Sequence, residues 1–440
     1  MTETIIPRRI SQALLSSLGA GVVPRIGLEY VAVGRRVEIE ALLRDLENVA
    51  DGGAACRFII GRYGSGKSFL LQLLRNNALE RGFVVADADL SPERRLAGSQ
   101  GQGVGTYREL VKNLSTKSRP EGGALGSILE RWIAAVQTRV AQDGIEPDDA
   151  GFDQAVEQRI LALTHEMQNL VAGFDFAKVI IAYWRGHRQD NDQLKDAALR
   201  WLRGEFTTKT DARLALDVRV IIDDANWYDY LKLLARFSAA VGYKGLLVMV
   251  DEMVNLYKIT NSASREANYE KLLAMFNDTM QGRAEYLGLF FAGTPQFLED
   301  ARRGLFSYEA LRSRLGETRF ARDGVRDTAG PVLRIPTLTN EELVVLLQRL
   351  AAIHESHYKR DHHLGVDEYR FFLEETMNRL GAESLMTPRP IIRDFIAALN
   401  IVEQHPGATF TQVIGGEEFQ ARQDVDSRSE AEREFAEFEL

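Results

Sequence analysis

One cysteine in 440 residues, Cys56, leaves no internal disulfide and no thiolate metal site. It stands in an apolar run, Cys56-Arg57-Phe58-Ile59-Ile60, where a small buried thiol fits. There is no uninterrupted apolar stretch of the ~18 residues a membrane span needs. The first 21 residues lack an apolar core followed by a small-residue cleavage site, so export is not expected and a cytoplasmic location is. Basic charge is not in excess either: the formal net charge is −9, which excludes a chain coated in cationic surface but not a local basic track. Charge is regional. Arg302 to Arg326 holds seven arginines against three acids, whereas the last twenty residues hold seven acids against three arginines. No internal repeat is present, and no Asn-Lys-x-Asp guanine motif, so adenine is favoured over guanine.

What is present is a phosphate-binding loop. Gly61-Arg62-Tyr63-Gly64-Ser65-Gly66-Lys67-Ser68 matches G-x-x-x-x-G-K-[ST] at every position. An apolar strand pattern, Arg57 to Ile60, precedes it, and a helical pattern, Ser68 to Ala78, follows. Convergent backbone N–H groups need glycine where φ is positive, and the helix start adds partial positive charge. ATP and Mg²⁺ are the expected ligands. Gly61, Tyr63, Gly64, Ser65, Gly66, Lys67, Ser68 and Phe69 are the expected contacts, with Lys67 on the β- and γ-phosphates and Ser68 on the metal.

Leu246 to Val250 reads as a buried strand ending in Asp251-Glu252. A carboxylate at the C-terminal end of such a strand lies where open α/β sheets bind ligands. Asp251 is the second expected Mg²⁺ residue, through water, and Glu252 the group that polarises the attacking water. The plain alternative is an acidic pair capping a strand. Leu287 to Ala292 is another strand, and Thr294 just beyond it would put a hydroxyl beside the γ-phosphate; the alternative is a turn residue before Pro295. Arg312 and Arg314 ride a short helix, Tyr308 to Leu315, from which an arginine of a neighbouring subunit could stabilise phosphoryl charge. Arg389 and Arg393 occupy the start of a late helix. Taken singly, each arginine reads sooner as a solvated surface charge or a structural ion pair than as a nucleotide contact.

The wider pattern is α/β: apolar strands at Arg57–Ile60, Phe83–Ala86, Leu246–Val250, Leu287–Ala292 and Val332–Ile335 alternate with helices, which predicts a parallel sheet buried on both faces. Residues 1–30 show little periodicity and are expected to drape over the core. Residues 31–335 form the expected core, with a helical insertion at about 98–227 that opens in a Gly/Gln-rich loop, Gly98 to Gly105. Residues 336–405 form a helical lid and 406–440 an acidic tail. Thr339 with Glu342 predicts a capping box, Gly381 a helix stop, and Thr387 a cap with Pro388 in the first turn.

Together these features resemble an AAA+ ATPase of the initiator/clamp-loader type. Val33-Gly34-Arg35 with Glu38 resembles the box that lines the adenine pocket in that clade, Ser313-Arg314 its arginine finger, and Thr387-Pro388-Arg389 its sensor-2 helix; Thr294 takes the sensor-1 position by analogy. Longer strings are similar to the BREX-system ATP-binding proteins (BrxC/BrxD-like): Tyr183-Trp184-Arg185-Gly186, Ala198 to Glu205, Gly242 to Leu246, Asp251 to Tyr257 and Arg303 to Glu309, with a length like the short BrxD form. The resemblance implies an ATP-hydrolysing, self-assembling protein of phage-defence islands acting on DNA, with a helicase or methyltransferase as partner. Its candidate catalytic residues are Lys67, Glu252, Thr294 and Arg314, and Gly34, Arg35 and Arg389 join the nucleotide contacts. A nucleotide-gated scaffold with little turnover is the second reading, and a small-molecule kinase a third with no substrate-pocket signature. The initiators' winged helix is not expected in the acidic tail. The basic stretch Arg302–Arg326 and Trp184/Arg185/Arg188 are candidates to face phosphates, or equally to form subunit contacts.

Overall fold

The computed structural model describes residues 6–165, 173–316, 327–360, 362, 364–380, 387–405 and 407–415. Gly381, residues 317–326 of the basic stretch and residues 416–440 of the acidic tail lie outside them. The chain divides into two bodies. One comprises residues 37–61 and 73–334, the other residues 1–36, 62–72 and 335–440.

The first body is an α/β structure around five parallel strands: β1 (Ala54–Ile60), β2 (Val84–Asp89), β3 (Leu246–Asp251), β4 (Leu287–Gly293) and β5 (Val332–Arg334), in the order β2-β3-β4-β1-β5. Every residue of β4 is buried, as are all but the last of β3, which is why these segments read as unbroken apolar runs rather than alternating ones. Phe58 of β1 stacks on Phe291 of β4 at 5.3 Å between ring centroids. A small parallel sheet flanked by many helices, with strand β1 feeding a glycine loop and a helix, is the architecture of a P-loop NTPase-like core with large helical extensions.

Between β2 and β3, neighbours in the sheet, the chain makes a long helical excursion. The stripe Ile128, Leu129, Trp132, Ile133, Val136 and Val140 is buried, and its core is continuous with that of the sheet. Trp132 meets Phe237 edge to face at 5.0 Å, and Trp201 meets Tyr230 at 5.3 Å. Two polar handles are satisfied at depth: Trp201 Nε1 donates to Val220 O at 2.8 Å and Tyr107 Oη to Leu202 O at 2.8 Å. The expected Gly98–Gly105 loop is cut short, because a helix already begins at Gln102. The Asp224 carboxylate caps it, accepting from Gly101 N at 2.8 Å and Val104 N at 2.9 Å.

The second body is helical. Helices Arg8–Gly19, Asn340–Tyr358, Val366–Leu380, Pro388–Gln404 and Phe410–Gly415 enclose a core in which Phe395 packs against Phe372 and Phe410. The N-terminal segment does not drape. Ser11, Leu14, Leu15 and Leu18 form one buried helical face in this core, and Pro7 starts the helix with φ −55°. The capping box at Thr339 and Glu342 forms as expected. Among the described residues no helix is long and apolar enough to cross a membrane.

His354 is fully buried in this body. Its ring faces His362 through Nδ1 at 2.8 Å and Asn400 Oδ1 through Nε2 at 3.0 Å. Burial pushes the imidazole down from 6.5 to about 4; Asn400 opposes the shift and His362 adds to it. In the unfolded chain the ring takes its proton near 6.5, so below that pH the unfolded state binds more protons than the folded one. Stability of the helical body is therefore expected to fall as pH drops from 6.5 toward 4. Hydrogen exchange of the Asn340–Tyr358 helix across that range should report the loss, and His354→Gln should flatten the profile. An unchanged slope in the variant would contradict the assignment.

Candidate functional site

Strand β1 ends with Gly61 N donating to Gly293 O at 3.1 Å, and the chain turns through the loop into helix Lys67–Glu80. Gly64 at φ 72° and Gly66 at φ 98° take the left-handed conformation that turns successive N–H groups to one side. Gly64 is fixed by space as well, since a Cβ there would lie 2.5 Å from Thr387 Oγ1, whereas Gly66 has open surroundings. Lys67 Nζ donates to Arg62 O at 3.0 Å, folding over the loop's own backbone. Ser68 is exposed, and Phe69 packs on the core of the helical body. Ser65 is buried to 2% exposure with its Oγ lacking a hydrogen-bond partner. A buried hydroxyl left unsatisfied is costly unless a ligand completes it. The donor-rich loop, its left-handed glycines and this hydroxyl suit a polyphosphate.

The helical body brings further residues to the loop. Arg35, 5% exposed, donates from Nη2 to Ser65 O at 3.1 Å and from Nη1 to Gly34 O at 3.3 Å. Gly34 has φ 67°, and a Cβ there would strike Glu342 and Leu338. Arg389 Nη1 donates to Tyr63 Oη at 2.6 Å. Thr387 stands at the N-cap position of helix Pro388–Gln404, but its hydroxyl makes no cap; it lies against Gly64 instead. Gly34, Arg35, Tyr63, Gly64, Ser65 and Arg389 are thus gathered in one place. Arg393 pairs with Asp394 at 3.2 Å.

In the sheet body, all strands being parallel, Gly61, Asp251 and Thr294 fall along one edge, beyond the C-terminal ends of β1, β3 and β4. Glu252 leaves β3 at φ 57°, left-handed for a residue with a side chain, and its N–H donates to Asp251 Oδ1 at 2.7 Å. Asp89, which the sequence reading passed over, is register partner to Asp251. Its carboxyl is raised by burial first, then by the charge of Asp251. The signal was available: Val84-Val85-Ala86-Asp87-Ala88-Asp89 is an apolar strand ending in Asp, the same pattern as β3. Thr294 caps helix Pro295–Glu299, accepting from Phe297 N at 3.3 Å.

Arg314 is held by Asn277 Oδ1 at 3.1 Å and Ala310 O at 2.8 Å, while the exposed Arg312 has no side-chain partner among the described residues. Trp184 is buried at 1% exposure, Arg185 is engaged by Glu157 at 2.6 and 2.8 Å, and Arg188 by Asp153 at 3.0 Å. Both arginine side chains stay about half exposed, so these are surface ion pairs, while Trp184 belongs to the core. Among the described residues no group of three or more His, Cys, Asp or Glu side chains forms a metal site.

A family model described as "BREX system ATP-binding protein BrxC/D" matches residues 6–418. No curated protein matches the chain.

The left-handed Glu252 generates a test. Asn tolerates that conformation better than glutamate and a β-branched residue tolerates it worse, so Glu252→Asn should keep or raise the denaturation midpoint in urea, while Glu252→Val should lower stability by about 1–2 kcal/mol. Equal stability of the two variants would contradict the backbone assignment.

Proposed function

The chain belongs to the BrxC/BrxD family of BREX-system ATP-binding proteins, and from that premise we propose that it binds and hydrolyses ATP at the Gly61–Ser68 loop as a self-assembling AAA+ protein of the initiator/clamp-loader type, acting on DNA in phage defence and closest to the short BrxD form. The observation that carries the reading is the loop itself: left-handed Gly64 and Gly66 on either side of a buried, unpartnered Ser65 hydroxyl, between a strand and a helix. Lys67 leaves the Arg62 carbonyl for the β- and γ-phosphate oxygens, charged acceptors that hold it more strongly. Ser68 and, through water, Asp251 would hold Mg²⁺, which would supply charge neutralisation for the phosphates. Glu252 orients and deprotonates water, its backbone tied to Asp251. Thr294 presents its hydroxyl proton to the γ-phosphate while its oxygen stays on the cap. Gly34 and Arg35 border the adenine, and Arg389 senses the phosphates. Of the two candidate fingers, Arg312, which has no side-chain partner among the described residues, is the easier to deliver to a neighbour, and Arg314 must first leave Asn277.

The scaffold reading, in which ATP binding switches a partner helicase or methyltransferase with little turnover, is favoured by one observation. Arg185 and Arg188, which a DNA-acting surface would present, each face a carboxylate, Glu157 and Asp153, that offsets their charge at the surface.

Lys67→Ala is expected to lose affinity for a fluorescent ATP analogue by about a hundredfold or more, the loss of charge-assisted contacts to two phosphates. Unchanged affinity would refute the loop assignment. Glu252→Gln is expected to bind the analogue normally and release no phosphate; undiminished release would remove Glu252 from the water-activating role and turnover near zero in the parent protein would favour the scaffold.

A further inference from the structure

Tyr63 stands inside the loop yet keeps 61% of its surface exposed. Arg389, from the first turn of helix Pro388–Gln404, lays its guanidinium over this ring with Cζ 5.3 Å from the centroid, and Nη1 donates to the phenol oxygen at 2.6 Å. Gly21 backs the same group: a methyl there would lie 3.2 Å from Arg389 Nε, and its φ of +70° disfavours any side chain. Beside it, Thr387 fits against Gly64 only because Gly64 has no Cβ. One exposed aromatic therefore fixes a long, otherwise mobile arginine through both its face and its hydroxyl. Neither contact is buried, so their contribution to folding is small and their effect is orientational.

We propose that Tyr63 is the positioning residue that holds Arg389 at the phosphate-binding loop, so that the protein prefers a nucleoside triphosphate to a diphosphate. The inference rests on reading Gly61–Ser68 as a nucleotide site. An arginine held in place loses less side-chain freedom when it binds an anion, and its fork suits phosphate oxygens. The phenol takes only Nη1, so the other guanidinium N–H groups are left for phosphate oxygens while the hydroxyl and the ring face keep the group aligned. The additional negative charge of ATP over ADP is what a fixed guanidinium rewards.

The test titrates the full chain with fluorescent ATP and ADP analogues in Mg²⁺, comparing the parent protein, Tyr63→Phe, Tyr63→Ala, Arg389→Ala and the Tyr63→Ala/Arg389→Ala double variant, each with a melting curve. Tyr63→Phe, which keeps the ring, should lower the ATP-over-ADP affinity ratio about threefold, and Tyr63→Ala about tenfold. Melting curves should not move, and Tyr63→Ala should add nothing once Arg389 is gone. A ratio unchanged by Tyr63→Ala while both nucleotides still bind overturns the proposal and leaves the nucleotide site standing. Equal weakening of ATP and ADP, or additive effects in the double variant, also overturns it. Failure of the parent protein to bind either nucleotide overturns both readings.

Discussion

A parallel sheet delivers the C-terminal ends of all its strands to one edge, and the chemistry proposed for this chain depends on that constraint. β1 stops at Ile60 and becomes the glycine loop, β3 stops at Asp251-Glu252, β4 stops before Thr294, and β2 ends on Asp89. Ile60, Asp89, Asp251 and Gly293 are remote in sequence but share an edge because the strands they end run parallel, β3 and β4 being buried along almost their whole length. The ladder sets their relative order: Gly293 lies opposite Ile60, and Asp89 opposite Asp251. Shifting a strand by one residue would turn every one of its side chains to the other face.

Local backbone conformation then refines what the sheet supplies. Two left-handed glycines shape the loop, and Glu252 adopts the same unusual conformation at the end of β3. For glycine this is nearly free, but for glutamate it costs on the order of 1–2 kcal/mol. It persists where Glu252 N bonds Asp251 Oδ1 and Met253 N bonds Ala292 O at 3.1 Å, which together anchor the turn. Strain held by neighbours at a candidate catalytic position is common where a side chain must point in one direction.

The strands and the loop were legible in the sequence because their signals are local. Leu246–Val250 and Leu287–Ala292 are unbroken apolar runs, the loop matches its pattern at every position, and Thr339 with Glu342 forms its capping box from residues one helical turn apart. Two of the features missed depend on distant partners. The helix starting at Gln102 is capped by Asp224, far along the chain. Thr387 marks a helix start, but its hydroxyl serves Gly64, a contact no local pattern encodes. The helix Arg8–Gly19 has an apolar face, yet no side chain caps it, and Pro7 with Arg8 and Arg9 resembles an irregular extension. Asp89 escaped because the strand reading stopped at Ala86, before the acidic end that pairs with Asp251.

The central claim is that the backbone amides of Gly64 to Ser68 receive phosphate. Residue-resolved hydrogen exchange with and without ATP and Mg²⁺ tests it most directly. Slowed exchange confined to these amides and the first turn of helix Lys67–Glu80, absent with adenosine alone, is the outcome the account requires. Exchange in this loop that is indifferent to ATP, while another segment becomes protected, would contradict it.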